Sequence, residues 1–256
     1  MDNHNIFIHI PKCGGSSFIG LLKDSNTLSA EQSGIPTHII DQVGETEIKH
    51  IDFSTSDRKF KAPFIFDNHN NDKFLNRLTF MLVRNPVNRL LSEYNFQYHI
   101  LNGKAGNPNA AIISKLIPLP HKFIDYASFT ATQNYQCKFL IGRKIADPEP
   151  LEQEEFDQII KGIEKLDIHC GITDQYQAFL NLFVSKTNAS LKNHFVHRKR
   201  TPTILKSKIT DADRLKIEKF NSFDMALFKY VLTKIKSIEV TGTKTFIPTV
   251  QNQFIP

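Results

Sequence analysis

The sequence contains no tryptophan and only three cysteines, Cys13, Cys137 and Cys170. The cysteines are far apart and odd in number, so they form neither a disulfide framework nor the paired spacing of a zinc site. A reducing compartment is the simplest interpretation of this cysteine usage. The sequence also lacks a secretory signal and any run of about twenty apolar residues. We therefore expect a cytoplasmic protein without an integral membrane segment.

Patterns typical of nucleic-acid-binding proteins are also missing. The sequence has no Cys/His finger spacing, no aromatic RNA-binding motif and no long basic helix, so no nucleic-acid partner is expected. What it does have is a net charge of +6, from 32 basic and 26 acidic residues, which favours anionic ligands or a polyanionic partner. The 21 phenylalanines are spread along the whole chain, which indicates core filling rather than a stacking surface.

A strand, a glycine turn and a helix follow one another close to the start of the sequence. Residues 6–10 form an apolar run that predicts a buried strand, and residues 16–22 have the apolar spacing of a helix. Gly14 and Gly15 predict a tight turn between them. The N–H groups at a helix start lack intrahelical acceptors and attract anions, and Lys12 adds a full positive charge. The segment therefore predicts a phosphate or sulfate site.

A second strand and helix carry another group of polar residues. Residues 78–83 are apolar and predict a buried parallel strand, with Arg84 at its carboxyl end. Asn85 and Pro86 are typical of a helix start, as N-cap and first helical residue. Ser92 lies about two turns into that helix. Because ligands bind at the carboxyl ends of strands in open α/β sheets, Arg84 and Ser92 are candidates to share one anion.

Strand-like and helix-like segments alternate along the sequence, which predicts an α/β fold. We expect a three-layer sandwich whose central parallel sheet is flanked by helices, with a phosphate-loop-like turn after the first strand. At 256 residues, one domain is expected over residues 1–240, followed by an irregular tail over residues 241–256. The predicted strands are residues 6–10, 37–40, 63–66, 78–83 and 167–172; the predicted helices are residues 16–24, 86–99, 129–141, 151–165, 174–186, 211–220 and 222–235; residues 102–108 are predicted to form an exposed loop.

Two motifs together resemble those of the sulfotransferases that use 3′-phosphoadenosine 5′-phosphosulfate (PAPS). Residues 9–17 read H-I-P-K-C-G-G-S-S, and residues 84–94 read R-N-P-V-N-R-L-L-S-E-Y. The resemblance is strongest to the branch that modifies carbohydrates, including the heparan sulfate 2-O- and 6-O-sulfotransferases. Weaker similarity at residues 134–142, 170–173 and 197–200 extends it over about residues 5–235.

This resemblance implies PAPS as the sulfuryl donor, no metal, and a carbohydrate hydroxyl as the acceptor, on a polysaccharide, an oligosaccharide or a glycolipid. The loop after the first strand would bind the 5′-phosphosulfate, with Lys12 steadying the leaving phosphate oxygen. Arg84 and Ser92 would hold the 3′-phosphate, and a late basic stretch would meet it from the opposite side. The implied cofactor-binding residues are Lys12, Cys13, Gly14, Gly15, Ser16, Ser17, Arg84, Ser92, Lys199 and Arg200.

Sulfuryl transfer to a hydroxyl also needs a base for the acceptor proton. His69 follows the strand-like residues 63–66, and in the enzymes that the chain resembles a histidine in that loop is the general base. We therefore name His69 as the candidate base, with His50 as the second choice. His9 lies within the first predicted strand and is expected to pack or to form a hydrogen bond in the core.

Cys13 permits two interpretations. It is either a small packing residue or a thiol whose pKa is lowered by Lys12 and the helix start. The packing interpretation is favoured, because no second cysteine or histidine partner is adjacent in the sequence. A nucleophilic Cys13 would contradict direct sulfuryl transfer.

Two other functions remain open at this point. A small-molecule kinase would share the strand, loop and helix, but its G-x-x-x-x-G-K-[ST] pattern places lysine after the glycines, whereas Lys12 precedes them. A non-catalytic relative would bind the nucleotide or a glycan and transfer nothing.

Overall fold

The computed structural model of the chain describes residues 5–24, 37–40, 77–100, 120–143, 147–191 and 207–240. Within these ranges the chain forms one four-stranded parallel sheet and eight α-helices, which confirms the predicted α/β fold. The strands are β1 (Asn5–Ile8), β2 (Thr37–Ile40), β3 (Thr79–Val83) and β4 (His169–Ile172).

The sheet has the strand order β2-β1-β3-β4, with every neighbouring pair parallel. Phe7 of β1 lies opposite Ile39 of β2 on one side and Phe80 of β3 on the other. The chain therefore passes from β1 to β2 on one side of β1, and then returns to β3 and β4 on the other side. This reversal between β1 and β3 opens a crevice at the carboxyl ends of the two strands, which is the usual ligand position in such sheets.

Residues on both faces of the central strands are buried, as expected for a parallel sheet covered on each side. All residues of β1 and β3 are buried, although alternate side chains point to opposite faces. One face holds a group of aromatic rings from four elements, in which Phe18 lies with its ring centroid 4.7 Å from Phe7 and 5.0 Å from Phe183. Phe80 packs on Phe183 at 4.9 Å. These phenylalanines fill the core, as their distribution predicted.

The helices are α1 (Gly15–Asp24), α2 (Pro86–Asn95), α3 (Phe123–Ser128), α4 (Tyr135–Leu140), α5 (Gln153–Lys165), α6 (Tyr176–Thr187), α7 (Asp211–Phe220) and α8 (Ser222–Val240). A π-helical turn, Phe96–Ile100, continues α2, and 3₁₀ turns span Thr130–Thr132 and Thr173–Gln175. Helix α2 begins as predicted, because the Asn88 N–H donates to Asn85 Oδ1 at 3.2 Å and Pro86 is the first helical residue. None of the described helices is both long and apolar enough to span a bilayer.

The prediction of one helix over residues 129–141 is wrong. Residues 130–132 form a 3₁₀ turn, and α4 starts only at Tyr135. Asn134 has a left-handed backbone (φ 50°), which a continuous right-handed helix cannot contain. The preceding helix α3 was not predicted. The predicted strand at residues 63–66, the loop at residues 102–108 and the tail at residues 241–256 lie outside the described residues.

Candidate functional site

The loop between β1 and α1 has an unusual backbone. Lys12 has φ 67° and Gly14 has φ 88°, so a lysine and a glycine both adopt left-handed conformations. For a residue with a Cβ atom this conformation is uncommon and costs energy, and it occurs often at functional sites. Gly14 O then accepts from the N–H groups of Ser17 at 3.1 Å and Phe18 at 3.3 Å, which starts α1. Because this loop follows the carboxyl end of β1, the first turn of α1 lies at the crevice edge of the sheet. The first N–H groups of a helix have no acceptor within the helix and can donate to a ligand there.

Gly15 is required by the packing of the loop. A Cβ atom at this position would lie 2.0 Å from Cδ2 of His9, so no larger residue fits without displacing the histidine ring. The His9 ring is half-buried and stacks near Phe7, with 6.1 Å between centroids. His9 therefore packs against the start of α1, but it follows β1, which ends at Ile8, and it is half-buried, so the expected place within the first strand and in the core is wrong.

Arg84 brings the two sequence motifs together. Its Nη1 donates to the main-chain oxygen of Lys12 at 3.1 Å, across 72 residues of sequence. The side chain is half-buried, and this burial lowers the pKa of the guanidinium because the charged form loses hydration. Among the described residues no carboxylate lies within ion-pair distance of Arg84, and its Nε has no hydrogen-bond partner there. An anion in the crevice would satisfy this cation.

The ammonium group of Lys12 lies over an aromatic ring. Its Nζ is 3.9 Å from the centroid of Phe96, the first residue of the π-helical turn after α2. A cation at this distance is attracted by the ring quadrupole, and π turns are frequent at functional sites. Arg84 of the second motif thus holds the backbone of Lys12, and Phe96, two residues beyond that motif, contacts its charge.

Cys13 is fully buried, and its Sγ donates to Oε1 of Gln136 at 3.2 Å. Burial raises the pKa of the Cys13 thiol to about 12, despite the opposing fields of Arg89 and Arg84. Almost no thiolate is then present at neutral pH, and the thiolate is the nucleophilic form. These observations favour the packing interpretation of Cys13 over the nucleophile.

Gln136 is a site residue that the sequence reasoning missed. Its Oε1 accepts from the Arg84 N–H at 2.9 Å, and its Nε2 donates to the Arg84 carbonyl oxygen at 2.9 Å. Behind it, the buried Asp224 accepts from the main-chain N–H groups of Gln136 at 3.0 Å and Cys137 at 2.9 Å. The available signal was a polar amide within the mostly apolar residues 135–141, since a buried amide must find partners.

Thr173 joins a third strand end to the same site. Its Oγ1 lies 2.9 Å from the carbonyl oxygen of Cys13 and 3.1 Å from that of Val83, and can donate to either. Thr173 follows β4 directly. The loops after β1, β3 and β4 are therefore connected at one edge of the sheet.

Other candidate residues differ in what the structure shows of them. Ser16 and Ser17 lie in the first turn of α1 and are partly exposed. Ser92 is partly exposed on α2, and its side-chain hydroxyl makes no hydrogen bond to another described residue. The candidate base His69, its alternative His50, and the basic residues Lys199 and Arg200 lie outside the described residues.

Arg89, the second arginine of the R-N-P motif, has different surroundings from Arg84. Its guanidinium is buried in an ion pair with Glu93 and lies 4.2 Å from the centroid of the Tyr135 ring. Arg89 therefore connects α2 to α4, and its charge is compensated within the protein.

Comparison with known proteins identifies the family. No curated protein shows significant similarity to the chain. The Sulfotransferase family matches residues 1–231, which is 231 of the 256 residues and includes both motifs and every strand described above. The match confirms the sulfotransferase family predicted from the loop after β1 and the R-N-P segment after β3. The chain belongs to the sulfotransferase family.

Proposed function

We propose that this protein transfers a sulfuryl group from PAPS to a hydroxyl group of a carbohydrate acceptor. The observation that carries the proposal is the position of Arg84, a half-buried guanidinium without a carboxylate partner among the described residues, which bridges to the Lys12 loop. PAPS has anionic groups at both ends of its ribose, and the crevice between β1 and β3 has cationic donors on both sides. The charges of the crevice and their positions therefore complement those of PAPS.

The loop after β1 would bind the 5′ end of the donor. N–H groups of Gly14 and Gly15, with the hydroxyl groups of Ser16 and Ser17, would donate to the 5′-phosphate at the start of α1. Lys12 would place its ammonium beside the phosphate oxygen on which negative charge develops. Such stabilisation acts where the charge appears in the transition state, so it lowers the barrier rather than only strengthening binding.

Arg84 and Ser92 would hold the 3′-phosphate. The planar guanidinium of Arg84 suits bidentate contact with a phosphate, and Ser92 would add a hydroxyl donor. Lys199 and Arg200 would approach the same phosphate from a later part of the chain. Because Nη1 of Arg84 also holds the Lys12 carbonyl oxygen, binding at the 3′ end would steady the loop that acts at the 5′ end.

His69 would accept the proton of the acceptor hydroxyl as that oxygen attacks sulfur in line. PAPS supplies an activated sulfuryl group: one sulfur–oxygen bond forms to the acceptor, and the bond to the leaving phosphate breaks. We expect His69→Ala to lower kcat while affinity for 3′-phosphoadenosine 5′-phosphate (PAP) is unchanged. Steady-state assays with labelled donor, beside PAP titrations, measure both; normal turnover would remove His69 from the mechanism.

The proposed acceptor class is tested by labelled-sulfate transfer to a panel of glycans. The net charge of +6 favours a polyanionic acceptor, so the panel should pair each neutral glycan with an anionic one. Transfer to a sugar hydroxyl supports the proposal. Binding of PAP without transfer to any acceptor would favour a non-catalytic protein.

PAP should raise the melting temperature more than ATP does. At a concentration of about 100 Kd a ligand adds about 2.7 kcal/mol to the free energy of unfolding. For a chain of this length that corresponds to a rise of about 5–10 °C, from about 2–4 °C per kcal/mol. ATP lacks a 3′-phosphate for Arg84, so its effect at the same concentration should be much smaller. Equal shifts, or magnesium-dependent ATP hydrolysis, would instead support a kinase.

A further inference from the structure

Gln136 occupies a fully buried position between the two halves of the site. It is 0% exposed, and its side-chain amide contacts the loops after β1 and β3 at once. Oε1 accepts from the Arg84 N–H and from Sγ of Cys13, at 2.9 and 3.2 Å. Nε2 donates to the Arg84 carbonyl oxygen at 2.9 Å. One amide therefore fixes the distance between two segments that are far apart in the sequence.

The amide group is matched to its partners on both sides. The main chain of Arg84, just after β3, has one N–H and one C=O group to satisfy. The Gln136 side chain supplies the complementary acceptor and donor, as a neighbouring strand would. A carboxylate could accept from the N–H but could not donate to the carbonyl oxygen. A methionine of similar size could do neither. The position therefore requires an amide for chemical reasons and not for volume alone.

Gln136 is in turn held by Asp224. The carboxylate accepts from the Gln136 main-chain N–H at 3.0 Å, and its Oδ2 lies 3.5 Å from Nε2 of the side chain. Asp224 is 1% exposed and belongs to α8, so the amide is backed by a buried group of a long helix. The chain of contacts runs from α8 through Asp224 and Gln136 to Arg84, and from Arg84 to the Lys12 carbonyl oxygen.

We infer that Gln136 is a positioning residue for recognition of the 3′-phosphate: by holding the Arg84 peptide, it aims the Arg84 guanidinium. The inference rests on the proposed function, in which Arg84 binds that phosphate. Gln136 contacts no ligand itself in this proposal. Its effect should therefore appear as a loss of preference for nucleotides that carry a 3′-phosphate, transmitted through Arg84.

The test compares PAP with adenosine 5′-monophosphate (AMP), which lacks the 3′-phosphate, by calorimetric titration. We expect Gln136→Met to reduce the PAP-over-AMP preference by about tenfold, since misplacing a binding group by about 1 Å can cost up to about 10²-fold. Affinity for AMP should change by less than about twofold on the same argument. The double variant of Gln136→Met with Arg84→Ala should show no larger loss than Arg84→Ala alone, because both changes remove one interaction.

Lys138→Met is the matched control. Lys138 lies on the same helix α4, is 3% exposed, and donates to the main-chain oxygens of Thr130 and Asp147, away from the site. Its variant should lose stability but keep the PAP-over-AMP preference. If Gln136→Met does not fold, Gln136→Asn, which keeps a neutral amide but is one methylene group too short to reach the Arg84 main chain, is measured in the same way with the same expected loss.

The outcomes separate this inference from the proposed function. If the wild-type protein prefers PAP and the Gln136 variants keep that preference within about twofold, the inference is overturned while the proposed function stands. A wild-type protein without any preference for PAP over AMP overturns both. A loss in Lys138→Met as large as in Gln136→Met would show a general effect of destabilising α4, and would also overturn the positioning role.

Discussion

Lys12→Ala should lower kcat for sulfate transfer by about 10²–10³-fold, the range found when one preorganised donor to a developing negative charge is removed. The expected reason is that the ammonium group acts on the leaving phosphate oxygen only as the bond to sulfur breaks. The affinity for PAP should fall much less, because Arg84 and the N–H groups at the start of α1 remain. Single-turnover assays with labelled donor, combined with PAP titrations, measure the two effects separately.

Lys12→Gly distinguishes loss of the ammonium from damage to the loop. Lys12 has φ 67°, a conformation that costs a side-chain-bearing residue about 1–2 kcal/mol and glycine nothing comparable. The glycine variant should therefore be at least as stable as the wild-type protein and yet lose turnover like the alanine variant. Turnover within about threefold of wild type in either variant would contradict a role for Lys12, since removing such a donor costs far more.

Phe96→Leu is a milder change at the residue that Lys12 contacts. The ring lies 3.9 Å from the Lys12 ammonium and holds it near the loop, but it does not contact the donor in our proposal. Removing an exposed or partly exposed cation–π contact costs about 0.5–1 kcal/mol, so kcat should fall only a few-fold. A lower kcat in Lys12→Ala than in Phe96→Leu would show that the charge of Lys12 matters more for turnover than the ring that orients it.

Most of the fold was accessible from local sequence patterns. A hydrophobic run predicted β3, and helix-start residues predicted α2. The start of α2 could be predicted because its cap is local: Oδ1 of Asn85 accepts from the N–H of Asn88, three residues away. The error at residues 129–141 has a different origin. The Asn134 N–H donates to Oδ1 of Asn221, and Oδ1 of Asn134 accepts from the Phe223 N–H. These partners are almost ninety residues away, so local propensity could not predict the break before α4.

The site also combines features that depend on near neighbours in the sequence with features that depend on distant residues. The family resemblance assigned Lys12 and Arg84 to opposite ends of one cofactor, but it did not predict the direct contact of Arg84 with the Lys12 backbone. The sequence could not separate the surroundings of Arg84 from those of Arg89, since only the tertiary structure gives Arg89 its partner Glu93 and the Tyr135 ring. Gln136 was missed for the same reason, because its partner Arg84 is 52 residues away.

Asp224→Ala should lower the free energy of unfolding by about 2–6 kcal/mol, from about 1–3 kcal/mol for each of two buried N–H groups left without an acceptor. These are the N–H groups of Gln136 and Cys137 in the first turn of α4. Burial raises the pKa of the Asp224 carboxyl, and the N–H donors of Cys137 and Gln136 oppose that rise. Urea denaturation measures the loss, which is large against a typical total of about 5–15 kcal/mol.

Asp213→Ala supplies the matched comparison, because Asp213 also lies in the first turn of a helix, α7, but is partly exposed and bonds to Thr210. Water can replace its hydrogen bonds, so its removal should cost only about 0.3–1 kcal/mol. Asp224→Asn keeps one oxygen acceptor at the same volume and should lie between the two alanine variants. If Asp224→Ala cost no more than Asp213→Ala, the α4 N–H groups would have other acceptors. Asp224 could then not be the group that holds Gln136 against Arg84.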